Sequence, residues 1–196
     1  MPKVNRVEHA RKPQGKCSKC GTDIISGAPY VWWKFRYGGR RVRCTKPECQ
    51  PKPSDLTQSE YLSTVYEWQE RTFEFDCRED VESAKEEMAG EIETLRCELE
   101  EKLDNMPEGL RDGDTGQLLQ ERIASLQEAQ DAIESIEVEI EGEEPEEPER
   151  AEGETDEAFA ARRAAWCQEV EKWNEKNQPA FESAANEIVD ALSSIS

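Results

Sequence analysis

Two cysteine pairs, Cys17-x2-Cys20 and Cys44-x4-Cys49, constrain this chain more than any other feature. A Cys-x-x-Cys-Gly turn lets two thiolates face one ion, and Gly21 takes the backbone conformation the turn requires. Four soft thiolates in tetrahedral geometry select zinc and leave no open position for a reactive water. Lys16, Lys19, Arg43 and Lys46 flank the ligands and favour the thiolate form. Two disulfides or buried free thiols are the competing readings. An odd total of seven cysteines and the lack of an apolar stretch behind the basic start MPKVNRVEHARK weigh against disulfides. One structural Zn2+ on Cys17, Cys20, Cys44 and Cys49 is therefore expected, in a chain of the cytoplasm.

Composition limits what can follow this module. Charged residues make up 36% of the 196 positions and hydrophobic ones 35%, with a mean hydropathy of -0.92. That suits a small stapled domain followed by helices with narrow apolar stripes, not one thick core. No apolar run approaches the ~18 residues of a membrane span, so no membrane partner is expected. The net charge of -20 divides sharply: residues 1–52 hold thirteen Lys/Arg against three acids, and residues 53–196 twelve against forty-two. The balances are +10 and -30, and the local field decides what docks.

Residues 1–16 are basic and aperiodic, which predicts a flexible arm. Residues 17–56 carry the finger. Within it, Gly38-Gly39 between two strand-like runs predicts a two-residue hairpin turn. That turn pairs Tyr37 with Arg40, Arg36 with Arg41, Phe35 with Val42 and Lys34 with Arg43. One face then holds Trp33, Phe35 and Val42, packed under the metal. The other holds Tyr30, Trp32, Lys34, Arg36, Arg41 and Arg43, cations beside aromatics, which is the chemistry of phosphate contact plus base stacking. These six are the candidate nucleic-acid contacts, for DNA or RNA, with Lys3, Arg6, Arg11 and Lys12 of the arm adding phosphate contacts.

The run Cys17-Ser-Lys-Cys20-Gly-Thr-Asp-Ile24-Ile-Ser-Gly27, followed by an aromatic strand, resembles the zinc finger of poly(ADP-ribose) polymerases. More broadly it is similar to treble-clef and zinc-ribbon modules. The resemblance covers about residues 15–50 and implies a zinc fold. Fingers of that family sense DNA breaks and use a histidine as third ligand, where this chain has Cys44. The short finger fused to acidic helices also resembles small bacteriophage-encoded proteins, which implies a bacterial host cytoplasm.

The remainder reads as mostly α. A helical hairpin is expected over 57–141, coiled-coil-like in its stripes. Thr57-Gln58-Ser59-Glu60 fits a capping box, and Phe73 to Cys77 is a weak point. Val81, Ala84, Met88, Ile92, Leu95, Leu99, Leu103 and Met106 make one stripe. Leu119, Ile123, Leu126, Ala129, Ile133, Ile136 and Ile140 make the other. Residues 142–154, acidic with two prolines, predict a disordered linker. Residues 155–196 predict C-terminal helices capped by Thr155 and interrupted at Pro179. Cys77, Cys97 and Cys167 are too scattered for a motif and are expected to be partly buried on helices. Asp112-Gly-Asp114-Thr-Gly116 lacks the further ligands of a calcium loop and reads as an interhelical turn capped by Thr115 or Asp114.

The single histidine, His9, excludes any enzyme built on a histidine pair, and as a metal ligand it is redundant beside four cysteines. No phosphate-binding glycine loop, no nucleophile with a base and no open metal site appears. The expected protein is not an enzyme. It binds nucleic acid through residues 1–52 and uses its acidic helices for a protein partner, a homodimer contact or autoinhibition. The alternative is a protein adaptor or inhibitor, or a nucleic-acid mimic, in which the finger is only a staple.

Overall fold

A computed structural model describes residues 1–195 and divides the chain into two compact units, Met1–Glu70 and Arg71–Ser196. In the first, β1 (Asn5–Val7), β4 (Tyr30–Lys34) and β5 (Arg40–Cys44) form an antiparallel sheet in the order β1-β4-β5, and β2 (Gly15–Lys16) pairs with β3 (Asp23–Ile24). Two single-turn 3₁₀ helices, Pro47–Cys49 and Pro53–Leu56, lead to α1 (Glu60–Gln69).

Residues 1–16 are not a free arm. β1 adds an edge to the sheet, with Val7 opposite Tyr30. Ala10 is buried and exchanges backbone bonds with Gly27 and Ala28. Main-chain pairing supplies the order that the short, polar segment does not advertise.

The hairpin register also departs from the expected one. Lys34 pairs with Arg40, Trp32 with Val42 and Tyr30 with Cys44, so Phe35 to Gly39 form a five-residue loop. Gly38 has φ +157° and Gly39 does not have positive φ, so the pair does not form the type I′ turn, which needs positive φ at both positions. The longer loop buries Phe35, and Gln58 Nε2 donates to Tyr37 O at 2.8 Å. The shift is three residues, an odd number, so the β5 residues change face relative to β4. Tyr30, Trp32, Val42 and Cys44 share one face, with Tyr30 in the cluster of Ala10, Cys17, Ile24 and Cys49. Val31, Trp33 and Arg43 occupy the other, and Trp33 is 0% exposed.

Segment 53–70 belongs to this unit rather than to the helical hairpin. Asp55 pairs with Arg43, Lys52 Nζ lies 3.0 Å from Glu70, and Tyr61, Val65 and Trp68 are buried. Helix α1 starts at Glu60 with Ser59 as cap, two residues later than the capping box implied. Thr57 Oγ1 instead accepts from Ser59 N while Gln58 holds the hairpin loop.

The second unit is helical: α2 (Arg78–Asp104), α3 (Glu108–Arg111), α4 (Asp114–Glu134) and α5 (Asp156–Ser193). The break at Phe73 to Cys77 is complete, since Phe75 is buried and no helix spans 71–77. Of the α2 stripe, Val81, Met88, Ile92, Leu95 and Leu99 are buried; Leu126, Ala129 and Ile133 of α4 are buried too. Lys85 Nζ, near the start of α2, donates to Ile136 O just past the end of α4 at 2.6 Å, which shows the two helices running antiparallel.

Three expectations for this unit change. Helix α4 stops at Glu134, and Ile136 to Ile140 continue without helix, following the two-residue alternation Ile-Glu-Val-Glu-Ile that the helical count overlooked. The acidic segment 142–154 runs along α5 rather than free, with Trp166 Nε1 donating to Pro145 O and Arg162 Nη2 to Glu149 O, each at 2.9 Å. Finally, α5 is one helix, not a separate pair. Pro179 lies inside it; α5 packs on α4 and α2, and its Phe181, Ala184, Ala185, Ile188 and Leu192 are buried. Burial of this face compensates the one backbone bond that proline removes. The cap at Thr155 is as expected, its side chain accepting from Ala158 N. None of the described helices is long and apolar enough to cross a membrane.

Gly116, in the first turn of α4, is buried where a Cβ would stand 1.9 Å from Arg111 O. That contact is to backbone, so the α3–α4 turn must open to admit any side chain. Gly116→Ala is expected to destabilise the helical unit by about 1–3 kcal/mol, as overpacking does. Thermal unfolding followed by helix signal measures it, and an unchanged midpoint would contradict this packing.

Candidate metal centre and cationic hairpin

The cysteine sulfurs of Cys17, Cys20, Cys44 and Cys49 lie within 4.8 Å of one another. Three local structures bring them together. The β2–β3 turn places Cys17 and Cys20, closed by Cys17 N to Thr22 O at 2.8 Å and Gly21 N to Cys17 O at 3.0 Å. Gly21 has φ +72°, the left-handed region that disfavours side chains. Ser18 N donates to Val42 O at 2.9 Å and docks this turn on β5, whose last residue is Cys44. The 3₁₀ turn after Pro47 then folds Cys49 inward, with Cys49 N donating to Lys46 O at 2.9 Å.

The donor set fits a thiophilic ion. Cys20 Sγ and Cys44 Sγ are 3.7 Å apart, and a tetrahedral Zn–S length near 2.3 Å requires an edge of about 3.8 Å. All seven cysteines are free thiols, so no disulfide competes. Cys17 and Cys49 are buried, Cys44 is half-buried and Cys20 exposed. Burial opposes ionisation of Cys17, but the backbone amides of Cys20, Cys44 and Lys19 outweigh it and bring the thiol down to about 6. Burial and then the sulfurs of Cys44, Cys20 and Cys17 push Cys49 up to about 12. Four thiolates this close need a cation among them. The four cysteines can hold a metal ion.

His9 stays outside the group; it is exposed, with Nδ1 3.4 Å from Gly27 O. Among the remaining thiols, Cys97 and Cys167 are exposed rather than partly buried, and Cys77 precedes α2 as its cap residue. At the Asp112–Gly116 turn Gly113 is the cap residue and Asp114 begins α4, so neither expected side chain caps the helix.

The six candidate nucleic-acid contacts separate. Lys34, Arg36 and Arg41 are exposed, and Trp32 is half-buried. Arg43 is only 6% exposed and is clamped by Asp55 through both terminal nitrogens, with a further bond to Gln50 O. Tyr30 is buried in the cysteine-side cluster. Neither can meet a ligand, because Asp55 closes over Arg43 and the cysteine-side cluster encloses Tyr30. Burial opposes ionisation of Asp55, yet the Arg43 guanidinium and the Lys52 amide outweigh it and hold the carboxyl below its ordinary value.

The shift also exposes a residue that the sequence reading passed over. Arg40, expected opposite Tyr37 and not among the six contacts, lies in β5 opposite Lys34. Its Cζ is 4.4 Å from the Trp32 ring centroid, and it donates to Gln14 Oε1 and Tyr30 OH, both at 3.1 Å. Both faces of β4 are apolar, Tyr30 and Trp32 on one, Val31 and Trp33 on the other, so alternation carries no register signal there. At the loop, Arg36 lies 5.3 Å from the ring of Tyr37, which is 75% exposed. Among the described residues, no carboxylate comes within ion-pair range of Lys34, Arg36, Arg40 or Arg41. No family model, curated protein or solved structure matches the chain.

Proposed function

We propose that residues 1–70 are a zinc-stapled module that binds nucleic acid, and that the protein is not an enzyme. The observation carrying this reading is the set of four exposed cations, Lys34, Arg36, Arg40 and Arg41, interleaved with Trp32 and Tyr37 on one hairpin and free of carboxylate partners among the described residues. Proteins usually pair such charges or space them apart; phosphates supply the missing counter-charge. Zinc is the proposed ion because four thiolates complete its tetrahedron and leave it a structural role. The succession of cysteine turn, hairpin and helical turn supports a treble-clef-like fold, as the likeness to poly(ADP-ribose) polymerase fingers implies. Phosphate contacts by Lys3, Arg11 and Lys12 extend the proposal along the N-terminal segment, whereas Arg6 already pairs with Glu8 at 2.9 Å.

Binding of the full, metal-loaded chain to labelled DNA across a salt series tests this. The logarithm of affinity should fall linearly with that of salt, and Arg36→Ala with Arg41→Ala should flatten the slope by about two units at most. Absence of binding at low salt would refute the reading. It would favour the second one, a protein adaptor, for which the observation is the helical unit itself: from Arg71 onward it carries thirty-eight acids against twelve basic residues. In that case a basic protein partner, or a second copy of this chain, engages the acidic helices.

A further inference from the structure

The nucleic-acid reading leaves open whether the ligand is duplex or single strand, and the Trp32–Arg40 pair bears on that choice. Trp32 packs against the cysteine-side cluster, and the Arg40 guanidinium lies over its ring at 4.4 Å. A base therefore cannot reach the indole without displacing Arg40. The next plane outward is the guanidinium itself.

That guanidinium is held. Gln14 and Tyr30 accept from its two terminal nitrogens, and its Cζ lies 4.4 Å over the indole, so its position is set before any ligand arrives. Lys34, opposite on the same face, is by contrast an exposed charge on a flexible stem. A freely moving cation suffices for phosphate. A positioned planar cation on an aromatic support offers something else, a surface on which a π-face can stack.

Resting on the reading above, we infer that the Trp32–Arg40 stack is the platform for an unstacked nucleobase, and that the ligand is single-stranded nucleic acid. In a duplex the base faces are closed by their own stacking, and only phosphates and groove edges remain for Arg40. In a single strand each base has an open face, and stacking of this kind is tolerant of sequence. Lys34, at the end of β4, and Arg36, within the hairpin loop, then serve the backbone phosphates.

The test uses the full, metal-loaded chain and three labelled probes: a short single-stranded DNA, an abasic strand of equal length, and the matching duplex. The parent should bind the base-bearing strand more tightly than the other two. Arg40→Lys keeps the charge and removes the plane. It should weaken binding of the base-bearing strand by at least about fivefold, the low end of one lost stack, and leave its salt slope and the abasic affinity unchanged. Trp32→Leu, which keeps an apolar cover on the cysteine side, should act in the same direction. Metal content and helix signal verify that each variant is folded. Equal parent affinity for all three probes, or an Arg40→Lys variant that binds the base-bearing strand as the parent does, would overturn the single-strand assignment and leave the nucleic-acid reading standing. Failure of the parent to bind any probe at low salt would overturn both.

Discussion

Removal of the metal should unfold residues 1–70 and leave the helical unit intact. Structural zinc sites contribute about 10–16 kcal/mol of apparent binding free energy in small fingers at neutral pH. A single core in a domain of this size supplies only about 3–5 kcal/mol. The sheet here is covered by the cysteine cluster on one face and by buried Val31, Trp33 and Arg43 on the other. Loss of a bound ion would loosen the first cover and leave four clustered thiols, Cys17 and Cys49 among them buried, as mutually repelling or poorly solvated groups. Metal analysis should find one zinc per chain. After chelation, amide protection across β1, β4 and β5 should vanish while that of α2 and α4 persists. Cys17→Ser and Cys49→Ser, at the two buried cysteines of the cluster, should reproduce the loss without chelator. Persistent protection of β4 and β5 in metal-free protein would show that the cysteines are not the staple.

The second large effect is expected at Asp55. Arg43 and Asp55 have side chains 8% and 19% exposed and face each other through paired nitrogen–oxygen contacts. Asp55→Ala leaves a buried guanidinium with only the Gln50 carbonyl, and removing one partner of such a pair costs about 3–5 kcal/mol. At about 4–8 °C per kcal/mol for a domain of this size, thermal unfolding of the first unit should fall by roughly 15 °C or more. Replacing both residues, Arg43→Met with Asp55→Leu, should recover much of that loss, because the pair's own net contribution is small once desolvation is counted. The pH dependence has a definite sign. The Asp55 carboxyl is held below its ordinary value of 3.8 in the folded state, so its contribution is present above about pH 4 and is lost as pH falls through the folded value. Asp55→Asn should remove that part of the acid dependence. A double variant as unstable as Asp55→Ala, or an Asp55→Ala variant as stable as the parent, would contradict the clamp.

This clamp also shows why a charge count along a strand is a poor guide to a binding face. Arg43 and Arg41 are two residues apart on β5 and share a face, yet Arg43 is sequestered near Asp55 while Arg41 at the loop end is exposed. Sequence proximity to the cysteines suggested that Arg43 balances the thiolates. Its partner is instead a carboxylate twelve residues on.

What the sequence determined by itself is whatever depends on spacing along a short stretch. The four sulfurs are brought together by a turn, a hairpin and a single helical turn, each encoded within a few residues, and so the cysteine cluster was legible. The apolar stripes of α2 and α4 were legible for the same reason, since a helix repeats every 3.6 residues whatever it packs against. Only the tertiary structure decided the rest. The hairpin register depended on Gln58 and on burial of Phe35, because aromatics on both faces of β4 leave the pattern degenerate. The order of residues 1–16 came from pairing with β4, a partner more than twenty residues away. The continuity of α5 through Pro179 came from burying Phe181 and Ile188 against other helices, which outweighs the lost backbone bond. In each case the deciding free energy comes from groups distant in sequence, where local propensity has no information.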